Sequence, residues 1–209
     1  MNNIKIKRFT AYLIDLVIIT IIVTLLGQIK FLNPYESKYE NVAKEYETYY
    51  KENFSDTQSI SLKDLTNNKY LNFVHDLSFY SMSYTIIEIV VIILYFTLFP
   101  LLFDGQTIGK KICKIKIINK DNKKKLRFIN LFIRTLLYPI WTSIILYTTL
   151  SNILLLLSVI VFNGKVYFYI NLIISIIFAI YSYVDIILLF VKDKSLHDLV
   201  SKTNVIECK

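Results

Sequence analysis

Four glycines and three prolines in 209 residues leave little turn chemistry. That excludes a collagen-like chain and a Gly/Pro-rich disordered one. Two cysteines are too few for a disulfide scaffold. Cys113 and Cys208 show neither CxxC nor metal-ligand spacing, so they read as free thiols. Charged residues make up 19% of the chain, below the roughly 25% of an ordinary soluble domain. No HExxH, GxSxG or Ser/Lys set occurs, so no catalytic residues, metal site or cofactor are expected. A phosphate loop is also excluded. Gly105 and Gly109 are too close together, and Lys111 stands where Ser or Thr would follow Lys110.

What is present is apolar and basic. Apolar residues are 55% of the chain, yet the net charge is +8. Four stretches approach or exceed the roughly 20 residues a membrane-crossing helix needs. They are Phe9 to Gly27, Tyr84 to Phe103, Ile129 to Phe162 and Tyr167 to Val191. The third is too long for one span. It reads as an interfacial helix, Ile129 to Tyr138, followed by a span from Pro139 to Phe162. None alternates strictly, which excludes barrel strands, and backbone in lipid must bond within its own segment, so these are helices. Lys5, Lys7 and Arg8 before an apolar run resemble a signal peptide. Asp15 inside that run, with no small-x-small cleavage pattern, argues instead for an uncleaved first helix.

The distribution of charge orients the chain. The N-terminal tail is basic, residues 28–83 carry a net −2, and residues 104–128 carry a net +7. Positive loops stay cytoplasmic. The expected fold is therefore an all-α membrane protein, a four-helix bundle with both termini cytoplasmic. Its parts are 1–27, tail and first helix; 28–83, an extracytoplasmic helical insert; 84–103, the second helix; 104–128, a basic cytoplasmic loop; 129–191, the interfacial helix and last two spans; and 192–209, the tail. Basic loops beside anionic lipid account for the +8. No motif supports nucleic-acid binding.

In the insert, Tyr46, Tyr49 and Tyr50 form a helical stripe expected to pack on the outer bilayer surface. In the loop, Ile112, Ile115, Ile117 and Ile118 interleave with lysines before a turn at Asn119 to Asn122, which predicts a β-hairpin.

Three blocks together resemble the RDD family of bacterial membrane proteins, named for one arginine and two aspartates. The first runs from Arg8 through Ala11 to Asp15. The second is Asp104, Gly105, Thr107, Gly109 and Lys110, continuing to Arg134. The third is His197 and Asp198, then Thr203. Arg8 and Asp15 match the first two letters; the second aspartate is Asp198 or Asp185. Val200-Ser201-Lys202 departs from the small residue usual after His-Asp-Leu. The resemblance implies a multi-pass protein of the bacterial plasma membrane. Some members resemble cation/proton antiporters; others resemble protease regulators or accessory proteins.

The charges inside the spans carry the functional expectation. Arg8 and Asp15 are two helical turns apart, with Ala11 between them on that face. Asp15 and Asp185 each lie about 9 Å from the inner end of their helix, and Arg134 about 7.5 Å into its own. A lone charge in lipid costs roughly 2.5–3.5 kcal/mol, so these residues need partners. Either Arg134 or Arg8 pairs with Asp15 and Asp185 as a structural lock, or the two carboxylates form a site for protons and monovalent cations. Glu88 lies near the outer end of its helix and is not part of this set. His197 and Asp198 are expected to lock the tail against residues 104–111. Two function classes follow: a small cation/proton antiporter using Asp15 and Asp185, or an accessory or regulatory protein whose charges are structural. Four spans with no inverted repeat favour a homo-oligomer or the accessory class with a membrane-protein partner.

Overall fold

The computed structural model describes residues 3–54, 67–120, 125–138, 151, 164–192 and 194–208. The helices are α1 (Asn3–Gly27), α2 (Glu36–Phe54), α3 (Asn68–Ile93), α4 (Phe99–Leu102), α5 (Ile108–Ile112), α6 (Phe128–Leu136), α7 (Gly164–Lys192) and α8 (Leu196–Val200). A π-helical turn, Leu94–Leu98, joins α3 to α4. The strands are β1 (Ile115–Asn119) and β2 (Thr203–Glu207). Among the described residues, three helical stretches are long and apolar enough to cross a membrane: Ile4–Gly27, Asn68–Leu102 and Ile170–Leu189. The span expected at 139–162 lies outside the described residues.

Helices α1 and α3 form the main core. Tyr12, Ile19 and Val23 pack against Ile87, Val91, Ile92, Tyr95 and Phe96. The opposite face of α1 leaves Ile6, Phe9, Leu13, Val17, Ile21 and Leu25 exposed at helical spacing. In a multi-pass protein such a stripe meets lipid rather than water. Helix α7 likewise exposes Ile173, Ile176, Ile177 and Ile180.

The second membrane helix begins well before Tyr84. Asn67 caps it, its Oδ1 accepting from the Lys69 amide at 3.0 Å, so residues 68–83 of the expected insert are continuous helix. Two tyrosines of the α2 stripe pack on this extension: Tyr49 and Tyr46 lie 5.4 and 5.9 Å from Phe73, ring centre to ring centre, while Tyr50 stays exposed. At the far end, Pro100 has no N–H to offer the Phe96 carbonyl. The turn before it opens, and the Phe99 amide reaches back to Leu94.

Among the described residues, the basic loop does not form a hairpin with itself. β1 pairs antiparallel with the C-terminal β2, from Ile115 opposite Glu207 to Asn119 opposite Thr203. Ile115, Ile117 and Val205 are buried on one face. A local return strand after the Asn119–Asn122 turn would have set Lys125 opposite Lys116 and Arg127 opposite Lys114, and like charges across a pair are unfavourable. β2 supplies Thr, Val and Glu instead. Gly105 permits the approach to this sheet. Its φ is +81°, its carbonyl accepts from the Ile117 amide at 2.8 Å, and a Cβ there would collide with the Ile117 carbonyl oxygen.

Candidate functional site: a buried charge cluster

Asp15 is fully buried on α1. Its carboxylate meets the short loop before α5. Oδ1 accepts from the Gly109 amide at 2.7 Å and from the Tyr95 hydroxyl at 2.6 Å. Oδ2 accepts from the Thr107 hydroxyl at 2.6 Å, with Lys110 Nζ 3.7 Å away. Thr107 also caps α5. The π turn aims Tyr95 at this carboxylate, and the missing side chain of Gly109 lets α5 rest on the Ala11 carbonyl. Burial lowers the pKa of Lys110 to about 8, against the pull of Asp15. Its ammonium also faces the Phe96 ring, 5.5 Å from the centroid.

Asp198 forms the second centre. Oδ2 accepts from Arg8 at 2.6 Å, and Oδ1 accepts from Arg134. The Ser195 amide also donates to Oδ2, at 3.3 Å, which completes a capping box at the start of α8. Burial alone would raise the Asp198 pKa. Arg134, His197 and Arg8 outweigh it and hold the group well below the usual carboxylate range. Arg134 also donates to the Thr203 hydroxyl at 2.7 Å, tying β2 to α6.

Asp185 forms the third centre. It accepts from the His197 amide at 3.0 Å and lies 3.0 Å from His197 Nδ1. Burial lowers the His197 pKa, so the ring is neutral at pH 7. The network therefore assigns the proton to Nδ1, facing Asp185, and leaves Nε2 accepting from the Ser195 hydroxyl at 2.9 Å. Tyr138 links the three centres. Its ring lies 4.6 Å from His197, 5.5 Å from Tyr12 and 6.0 Å from Phe96.

Several expectations change here. Among the described residues, Asp15 and Asp185 do not share a hydrogen-bond partner, and neither accepts from Arg8 or Arg134. Both arginines serve Asp198. The tail does not lock onto residues 104–111 through His197 and Asp198; these reach α7, α1 and α6. The reason is chemical. Asp15 already has a hydroxyl, an amide and an ammonium from the loop, whereas the guanidiniums of Arg134, buried, and Arg8, partly buried, need a carboxylate. Asp104 stands apart, exposed and paired with Lys116 at 2.6 Å. Tyr95, Thr107's capping role and Tyr138 belong to the cluster without having been singled out. A proline inside an apolar helix was the only sequence signal for Tyr95.

A cavity of about 10 Å3, room for one water, lies among Arg8, Tyr12, Asp15, Lys110, Arg134 and Tyr138. Among the described residues, no three His, Cys, Asp or Glu side chains gather as a metal site. A sequence model of the RDD family matches residues 6–202. No curated protein and no solved structure matches the chain.

Proposed function

The chain belongs to the RDD family of multi-pass membrane proteins, and from that premise we propose that it is a non-enzymatic accessory protein of the bacterial plasma membrane. In this reading both termini are cytoplasmic and the buried charges fasten the loop and the tail to the helices. The outer α2–α3 projection is the part available to a membrane-protein partner. The observation that carries the reading is the saturation of Asp15. Three hydrogen bonds and an ammonium engage its two oxygens, as befits a structural ion site rather than one that must open to exchange.

A second reading, cation/proton exchange, is favoured by Lys110. With a pKa near 8, it can release its proton close to physiological pH. Asp15, Thr107 and Tyr95 would then offer Na⁺ or K⁺ a set of hard oxygen ligands.

One experiment separates the two. The purified chain is reconstituted in sealed vesicles, and Na⁺- or K⁺-driven proton movement is measured for wild type and Asp15→Asn. The accessory reading expects no flux above empty vesicles from a normally folded protein. Flux that disappears in Asp15→Asn overturns it in favour of exchange.

A further inference from the structure

A second, larger cavity lies at the end of the bundle opposite Asp15, where α1, α2 and α3 meet. Its volume is about 410 Å3, within the range of small-molecule sites. Glu36 and Glu40, one turn apart on α2, contribute carboxylates; Tyr39, Tyr80 and Tyr84 contribute rings. Among the described residues, no lysine or arginine lines it, although the chain carries 24 of them.

The wall is built rather than incidental. The Asn33 side chain donates to the Gly27 carbonyl at 3.2 Å and accepts from the Ser83 hydroxyl at 2.7 Å, which joins the end of α1 to α3. Gly27 has no side chain where the Tyr84 ring stands; a Cβ there would lie 2.7 Å from Tyr84 Cε2. Glu47 on the same helix pairs with Lys51. Glu36 and Glu40 have no side-chain ion pair among the described residues.

We propose that this cavity binds an alkylammonium group, carried either by a soluble amine or by the ethanolamine headgroup of a lipid. Glu36, partly buried, and Glu40, exposed at the rim, repel anions and are stabilised by a cation. Tyrosine faces attract an ammonium through their quadrupole. The protein already displays this chemistry beside the cavity: Lys38 Nζ, which is not part of the wall, sits 5.8 Å from the Tyr80 ring centre. The volume exceeds what a bare metal ion needs.

The test uses the full chain in maltoside micelles, which carry no ammonium, at about 0.15 M NaCl to screen surface binding. Choline and cadaverine are titrated by calorimetry. Saturable binding is expected, weakened about fivefold or more in Glu36→Gln/Glu40→Gln and again in Tyr80→Leu. Gln is close to isosteric with Glu, and the unfolding temperature checks that each variant is folded. Adding phosphatidylethanolamine to the micelles distinguishes the sources. Competition with choline identifies the lipid headgroup; no competition identifies a soluble amine. The proposal is overturned if neither amine binds saturably, or if binding is unchanged in both folded variants.

Discussion

The amide of Gly109 donates to Asp15 Oδ1 at 2.7 Å, and a Cβ placed on Gly109 would lie 2.7 Å from that same oxygen. It would also collide with the Ala11 carbonyl oxygen, which is backbone and cannot rotate away. Gly109 sits inside α5, where helix propensity alone makes alanine better than glycine by about 1 kcal/mol. Overpacking of a tight contact typically costs about 1–3 kcal/mol. Gly109→Ala should therefore destabilise the protein, with the sign opposite to that of helix propensity. Thermal unfolding in detergent checks it. A variant as stable as wild type, or more so, would mean that α5 does not rest on Asp15 this closely.

Asp198 stands between the buried guanidinium of Arg134 and the partly buried one of Arg8, so its loss leaves both uncompensated. Removing one partner of a buried ion pair costs about 3–5 kcal/mol. Asp198→Asn should fall at the upper end of that range. Arg134→Met should cost less in the Asp198→Asn background than in wild type, because the stranded charge is already there. A double-mutant cycle on unfolding measures the coupling. Additive costs would show that Arg134 and Asp198 are energetically independent.

The pH dependence follows from two buried bases. Lys110 has a folded pKa of about 8 against 10.5 in the unfolded chain. Between those values the unfolded chain binds more protons, so stability rises with pH through that window. His197, facing Asp185, Asp198 and Arg134, has a folded pKa below the ordinary 6.5. The unfolded chain again binds more protons just below 6.5, so stability falls as pH drops through that region. Asp198 adds its own loss at lower pH: its contribution is present above the unfolded 3.8 and disappears as pH falls through the folded value. Unfolding temperatures from pH 5 to 10 should therefore climb in two steps. Lys110→Met should erase the upper step and His197→Gln the lower. A profile unchanged by either substitution would remove these groups from the linkage.

Much of the helical frame was legible because apolar runs of membrane length leave few alternatives. Gly109 and Lys110 were visible as a motif, but the reason for them was not. They contact Asp15 from more than ninety positions away, and no local pattern encodes that distance. The start of α3 was missed because Asn68 to Ser83 is polar enough to resemble a loop, while Tyr70 and Phe73 make it helical by packing against α2. The β pairing was missed for a similar reason: the turn residues after Ile118 suggest a hairpin, and the true partner lies at the other end of the chain. The ion pairs were misassigned because depth along a helix says nothing of direction around it. Arg134 shares a depth with Asp15 and Arg8 shares a helix face with it, but both find Asp198, which the capping box of α8 holds in place.

Pro100 and Tyr95 supply the last prediction. Without a proline amide, the helix cannot close an ordinary bond onto Phe96, and the π turn that results places Tyr95 on Asp15 at 2.6 Å. A π turn inserts one extra residue, which rotates what precedes it by about 100° relative to an unbroken helix of 3.6 residues per turn. Tyr95→Phe removes a buried hydrogen bond to a charged acceptor, worth about 1.5–3 kcal/mol. Pro100→Ala restores the missing amide and allows the turn to relax to α geometry, carrying Tyr95 off the carboxylate. The cost of Tyr95→Phe should then shrink to a few tenths of a kcal/mol in the Pro100→Ala background, well inside ordinary surface effects. Unfolding measurements on the two single variants and the double variant decide the matter. An equal cost for Tyr95→Phe in both backgrounds would show that the π turn survives without the proline, and that α1 packing rather than Pro100 positions Tyr95.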